Sequence, residues 1–282
     1  DTMGHTFGDE VLKEIKKYLM KIKDEKTFIS RFGSDEFLIL IKNEVEIDNI
    51  KHYIKKLNSL FKKPLLIEGH ETFINFSIGI TFYPYDSNDI SQLITNADTA
   101  MYRVKKTGKN NYMFFNKTMT DELKRKKEIK EILRRAIKNN GFELKYQPQI
   151  SLKSGKPEYL EALLRLKDYD ISPGVFIPIA EETGLIIEIG RWVTEQVIKQ
   201  IAEWKNRGFG PKTIAINFSG KQLNDHNYIE FLTNKLEQYD IEPDLLEIEI
   251  TENILLKKTD ESNYFLYIFN SKDLKINIDD FG

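Results

Sequence analysis

Glu161, Arg165, Asn217, Glu249, Asp279 and Asp280 are the side chains whose type and spacing could do chemistry, and they fall within four apolar stretches. Tyr159-Leu160-Glu161-Ala162-Leu163-Leu164-Arg165 reads as a short buried strand, bounded by Lys156-Pro157 before it and Lys167-Asp168 after it. A carboxylate and a guanidinium inside such a strand are costly unless a metal, an anion or each other satisfies them. Ile214-Ala215-Ile216-Asn217, Leu246-Glu247-Ile248-Glu249 and Ile276-Asn277-Ile278-Asp279-Asp280 repeat the pattern, each ending in hard oxygen donors. Such donors suit Mg²⁺ or Mn²⁺, and a chain with no cysteine and four histidines offers little to zinc. Two adjacent aspartates at one strand end can bridge a pair of ions, the arrangement used for in-line attack on phosphodiesters. The competing reading is a set of unrelated surface acids, which five donors in register over four strands disfavour. Glu252, one helical turn past Glu249, either serves this site or caps the next helix.

The elements that must position these groups alternate strand and helix. Strands are expected at 142–150 and 157–166, then helix 187–207, strand 213–218, helix 227–239, strand 245–250, helix 259–271 and strand 275–280. Acids at the C-terminal ends of alternating strands point to the rim of a (β/α) barrel. The link around Lys153-Ser154-Gly155 is too short for a parallel crossover, so the first two strands pair antiparallel. A turn centred on Ser154 puts Gln147 opposite Glu161, which makes Gln147 a candidate for the same site. Ile189, Val193, Val197, Ile201 and Trp204 form the inward stripe of the long helix, with Trp192 and Trp204 read as packing residues.

Before that barrel lies a separate α/β domain. Helix 9–23, strands 27–32 and 37–41, helix 46–62 with Ile47, Ile50, Ile54, Leu57 and Phe61 inward, and strand 73–83 follow in order. Ile90, Leu93, Ile94, Ala97, Met101 and Val104 mark a third helix, and strand 111–115 closes the unit. Gly33-Ser34-Asp35-Glu36 is a tight hairpin exposing two adjacent carboxylates. A charged helix then runs to Asn140-Gly141, its lysines read as a solvated face. The boundary is expected near 118, giving domains 1–118 and 119–282.

At 282 residues, with 40% hydrophobic and 30% charged side chains, the chain can hold two cores. Its 42 basic and 44 acidic residues leave a net charge of −2, which gives no electrostatic case for duplex nucleic acid. The lack of cysteine permits a cytoplasmic location, no apolar run is long enough to span a bilayer, and no signal peptide is expected at Asp1.

Tyr146-Gln147-Pro148, Glu161-Ala162-Leu163 with Arg165, Phe176-Ile177-Pro178-Ile179-Ala180-Glu181, Asn217-Phe218-Ser219, Glu249-Ile250-Thr251-Glu252 and Asp279-Asp280-Phe281-Gly282 resemble the EAL family from about residue 124 onward. The resemblance implies a TIM-type barrel with one antiparallel strand, and a phosphodiesterase that opens cyclic di-GMP to linear pGpG. It implies Glu161, Asn217, Glu249 and Asp279 as metal ligands and Asp280 as ligand of a second ion. Gln147 and Arg165 would contact substrate, and Glu252 would steady an active-site loop.

The first domain resembles the GGDEF family of diguanylate cyclases. Asp1-Thr2-Met3-Gly4-His5 with Gly8-Asp9, Gly33-Ser34-Asp35-Glu36-Phe37, Ser77-Ile78-Gly79-Ile80, Ala97-Asp98-Thr99-Ala100-Met101-Tyr102 and Gly108-Lys109-Asn110 carry it. It implies GTP as partner, with Asp9 on the base, Gly33, Ser34, Lys105 and Lys109 near the phosphates, and Asp35 and Glu36 toward metal. Ser34 replaces the second signature glycine, adding a side chain where backbone must approach phosphate. Lys109 keeps the charge of the usual arginine without its fork. Asp24 and Thr27 occupy the positions of the inhibitory Arg-x-x-Asp element. The expectation is therefore a GTP-binding regulatory domain. An active cyclase and an inactive cyclic di-GMP receptor are the alternatives.

The resemblance further implies a homodimer, a sensor domain upstream, and scope for membrane attachment through a preceding region. The chain opens inside a motif and stops at Asp280-Phe281-Gly282, so both ends are expected to be cuts through domains. The family's lysine and a later glutamate would lie beyond Gly282. With strand 275–280 left as an open edge, residues 1–282 alone are expected to aggregate or loosen and to be inactive.

Overall fold

The computed structural model describes residues 4–108, 110–209, 213–252, 260–272 and 274–279. Lys109, Asp280, Phe281, Gly282 and Asp1-Thr2-Met3 lie outside the described residues, as do the side chains of His5 and Asp279. The chain divides into two compact units, Asp1–Glu122 and Leu123–Gly282.

In the first unit α1 (Gly4–Met20) is followed by β1 (Thr27–Arg31), β2 (Phe37–Ile41), α2 (Ile47–Leu60), β3 (Leu65–Ile67) and β4 (His70–Thr72). Then come β5 (Ile78–Ile80), α3 (Ile90–Lys106) and β6 (Tyr112–Phe114). Ile15, Leu19, Ile22, Leu57, Phe61, Leu65 and Ile67 form its buried cluster. The expected hairpin is present, with Thr27 opposite Ile41 and Arg31 opposite Phe37. Asp24 takes up the turn before it, accepting hydrogen bonds from the Thr27 hydroxyl at 2.6 Å and the Lys26 amide at 3.0 Å.

Three expectations fail here. The strand foreseen over 73–83 shrinks to β5, which pairs parallel with β6, while Phe73 and Tyr83 are exposed. Ahead of it an unforeseen hairpin pairs β3 with β4 around Glu68-Gly69. Both turn residues have positive φ (48° and 84°), the backbone twist that suits a two-residue hairpin turn. Ile47, assigned inward, is 48% exposed, because it occupies the first position of its helix.

The second unit centres on one sheet. After α4 (Lys117–Lys138), which crosses from one unit to the other, come β7 (Phe142–Ile150), β8 (Pro157–Leu166), α5 (Pro173–Thr183), α6 (Ile186–Asn206) and β9 (Thr213–Phe218). α7 (Tyr228–Tyr239), β10 (Leu246–Thr251), α8 (Asp260–Ser271) and β11 (Lys275–Asp279) complete it. Strand order is β11-β10-β9-β8-β7, with β7 antiparallel to β8 and every other pair parallel. This is the βα succession of a barrel with one reversed strand at the edge.

Side-chain alternation along these strands splits the sheet into two unlike faces. Ala162, Leu164, Leu166, Ile214, Ile216, Phe218, Leu246, Ile248 and Ile250 are all at most 9% exposed, and they share a core with Phe176, Ile189, Val197, Ile198 and Leu232 of the helices. Trp192 stacks obliquely on Phe142 and Trp204 meets Tyr146 edge-on, so both are packing residues as expected. Burial beside Trp204 pushes the Tyr146 phenol up to about 12. Among the described residues no helix is long and apolar enough to cross a membrane.

Candidate functional site

The opposite face of the sheet is polar, and the strand holding Glu161 is therefore not buried on both sides as its apolar run suggested. β8 spans ten residues and alternates: Leu160, Ala162 and Leu164 face the helices, while Glu161 and Arg165 fall on the other side. The registers extend this second face across the sheet. Gln147 pairs with Glu161, Glu161 with Ala215, Asn217 with Glu249, and Glu249 with Asn277. The antiparallel link forced by the short turn thus places Gln147 beside Glu161, as the spacing required. Asp279 stands at the register position opposite Thr251, two residues on from Asn277.

A direct contact joins two of the foreseen donors. The Asn217 amide nitrogen donates to Glu161 Oε1 at 2.8 Å, across 56 residues of chain. Glu161 and Glu249 are half-buried and Asn217 is exposed, so the oxygens are presented to solvent from one side only. Arg165 does not pair with Glu161; its guanidinium donates to the Leu164 carbonyl at 2.8 Å. Glu247, 6% exposed, accepts from the Asn277 amide, and burial pushes its carboxyl above the usual glutamate range against the opposing pull of Lys275. Among the described residues no three acidic or histidine side chains come together as a metal group. What the described set offers is two carboxylates and one carboxamide on adjoining positions of a polar face, an all-oxygen donor chemistry that fits a hard divalent cation. Glu252 directly follows β10 and is half-buried, while residues 253–259 lie outside the described residues.

The end of β9 is held by Ser219 and Glu181, which lie in motifs quoted above without a role, and by Gln222, which the sequence reading did not mark. Ser219 caps a short 3-10 turn, Gly220–Asn224: its hydroxyl oxygen accepts from the Lys221 amide at 3.2 Å, and its own amide donates to Gln222 Oε1 at 3.0 Å. The same hydroxyl donates to Glu181 Oε1 at 2.6 Å. Gln222 is 3% exposed and lies against Gly190 of α6. Beyond the turn, Arg191 forms a two-pronged ion pair with Asp225, both contacts at 2.6 Å. Tyr228, whose buried phenol is raised by desolvation, shares a 2.8 Å hydrogen bond with Thr194. A capping-box spacing, Ser219 followed three residues later by Gln222, could have flagged the cap from sequence.

In the first unit the Gly33–Glu36 loop is closed by Phe32 and Gly33 amides donating to the Glu36 carbonyl at 2.8 and 3.3 Å. Arg31 donates to the Gly33 and Ser34 carbonyls at 3.1 and 2.7 Å, and the Ser34 hydroxyl donates to Asp35 at 3.1 Å. Asp35 is exposed and Glu36 half-buried. Asp9 on α1 and Lys105 in the last turn of α3 are exposed, and among the described residues neither is hydrogen-bonded or ion-paired to this loop.

Comparison with known proteins follows the same division. The EAL domain model matches residues 130–282, and the model for the GGDEF domain of diguanylate cyclases matches residues 1–111. Over its full length the chain is 36% identical to signaling protein YkoW of Bacillus subtilis and 34% identical to MucR of Pseudomonas aeruginosa, named a bifunctional diguanylate cyclase/cyclic di-GMP phosphodiesterase. It is 30% identical to PdeR of Escherichia coli, named a cyclic di-GMP phosphodiesterase. The chain spans 36%, 42% and 43% of the length of these three. Among solved structures it resembles the PaMucR phosphodiesterase in complex with c-di-GMP, with TM-score 0.52 and 34% identity, over 55% of this chain and 64% of that one. The Xanthomonas citri FimX EAL domain in complex with c-diGMP gives TM-score 0.51 and 28% identity, over 56% and 62%.

Proposed function

Because the chain belongs to the EAL domain family, with a GGDEF domain ahead of it, we propose that its second unit hydrolyses cyclic di-GMP to the linear dinucleotide. The observation that carries this reading is the Asn217–Glu161 hydrogen bond on a polar face where Glu249 stands beside Asn217 in register. Relatives named for turnover of this dinucleotide support it.

On this reading Glu161, Asn217, Glu249 and Asp279 hold one divalent ion, Mg²⁺ or Mn²⁺, and Asp280 holds a second. Bound there, such ions acidify water and offset charge on the phosphoryl oxygens. Gln147, paired with Glu161, and Arg165, four residues along β8, bind and orient the dinucleotide. A water oxygen bonds to phosphorus, one phosphodiester P–O bond breaks, and the released ribose oxygen takes a proton. Glu252 steadies the segment that follows β10. The polar sheet face carries Gln147, Glu161, Arg165, Asn217 and Glu249, while the core on the other side fixes their strands.

We place the domain boundary near 118 and assign the first unit a regulatory role, binding GTP through Asp9, Gly33, Ser34, Lys105 and Lys109, with Asp35 and Glu36 toward metal. The Ser34 side chain in the signature loop disfavours synthesis. Incubating the whole protein with cyclic di-GMP and Mg²⁺, then chromatographing the products, tests the main reading. Linear pGpG is expected; unchanged cyclic di-GMP overturns it.

A further inference from the structure

We infer that Glu181 is a positioning residue of this site: through Ser219 it fixes the end of β9, and with it Asn217. The inference rests on reading Asn217 as a cation ligand. Asn217 is exposed, and its side chain donates a hydrogen bond to Glu161. A cation that draws on the Glu161 carboxylate competes for that bond, so the location of the amide then depends on where its backbone is held. That backbone is anchored two residues on. Ser219 uses its amide toward Gln222, its hydroxyl oxygen toward Lys221 and its hydroxyl proton toward Glu181, so neither rotation of the side chain nor drift of the strand end is free.

The anchor at the other end is rigid. Glu181 sits near the C-terminal end of α5, whose Phe176, Ile179 and Ala180 are buried in the main core, and the helix stops at Gly184 in a left-handed conformation. Its neighbour shows what an ordinary surface acid does here: Glu182 reaches outward to Lys126 at 3.2 Å. Glu181 instead gives its Oε1 to a hydroxyl at 2.6 Å, the short distance of a charge-assisted bond. Two consecutive glutamates thus divide, one to a surface ion pair and one to the strand end bearing the ligand.

The test uses the whole protein and two measurements besides activity: Mn²⁺ affinity, from the signal of free Mn²⁺ in electron paramagnetic resonance, and the melting temperature. Glu181→Ala and Ser219→Ala are each expected to weaken Mn²⁺ binding about tenfold, with kcat falling in parallel and KM for cyclic di-GMP little changed, as a displaced ligand rather than a lost substrate contact requires. Glu181→Gln, which still offers an oxygen to the Ser219 hydroxyl, should regain most of the affinity. In an Asn217→Ala background Glu181→Ala should cause no further loss of Mn²⁺ binding. Wild-type Mn²⁺ affinity in a folded Ser219→Ala or Glu181→Ala variant overturns the inference and leaves the proposed activity standing, as do losses that multiply with Asn217→Ala. A wild-type protein that neither binds Mn²⁺ nor hydrolyses cyclic di-GMP overturns both.

Discussion

Gly190→Ala should destabilise this protein although it places alanine inside a helix. In an ordinary helix interior that exchange stabilises by about 1 kcal/mol, through chain entropy and propensity. At position 190 of α6 the new methyl would lie 2.0 Å from Gln222 Nε2 and 2.6 Å from its Cδ, well inside contact distance. Gln222 is 3% exposed, so its amide cannot swing aside into solvent. Overpacking of this kind costs about 1–3 kcal/mol. Moving the amide also releases the Ser219 amide from its cap, which adds about 1 kcal/mol. The losses exceed the gain, and the net effect is about 1–3 kcal/mol of destabilisation. With a urea slope of about 2 kcal/mol per molar, that is a fall in midpoint of roughly 1 M. Gly174→Ala is the control: the added carbon meets nothing within 4 Å, and the midpoint should stay put or rise slightly. A Gly190→Ala variant as stable as wild type, or more so, would refute the close packing of Gln222 on α6.

Glu161→Ala or Asp279→Asn in the whole protein should abolish hydrolysis while the melting temperature holds, since losing one cation ligand costs several kcal/mol of transition-state stabilisation; near wild-type turnover in either rejects the assignment. Calorimetry should detect GTP binding to the first unit without accumulation of cyclic di-GMP, so no heat of binding, or steady synthesis, counts against the regulatory role. Glu195 is held below the usual carboxylate range by hydrogen bonding to Lys235 at 2.9 Å and by Lys199 at 3.0 Å. Its folded-state pKa lies below the unfolded value of roughly 4.3, so its contribution is present above that pH and lost as pH falls through the folded value. Glu195→Gln should therefore lower stability near pH 7 by about 1 kcal/mol or less, with the gap to wild type narrowing as pH falls below the unfolded value; a gap constant with pH would show that the two lysines do not act through charge.

Much of the second unit was legible in its residues. The link between β7 and β8 is too short for anything but an antiparallel pair, and that alone put Gln147 opposite Glu161. Periodicity located α6, α7 and strands β9 to β11 to within a residue or two, because one buried face imposes a repeat that survives in one dimension. The first unit was less readable. Phe73 to Tyr83 alternates like a long strand, yet only Ile78–Ile80 finds a partner, since a strand exists only where another backbone accepts its hydrogen bonds. The β3–β4 hairpin was missed because its strands have only three residues each, too few to show a period. Tertiary packing alone decided the polar face as a surface: β8 looked buried throughout until its pairing showed Glu161 and Arg165 on the side away from the helices. It alone brought Glu181 to Ser219, 38 residues away. Residue types and local spacing record what a segment can do for itself, whereas a hydroxyl at 2.6 Å from a carboxylate on another element depends on how helix and sheet settle around their shared core.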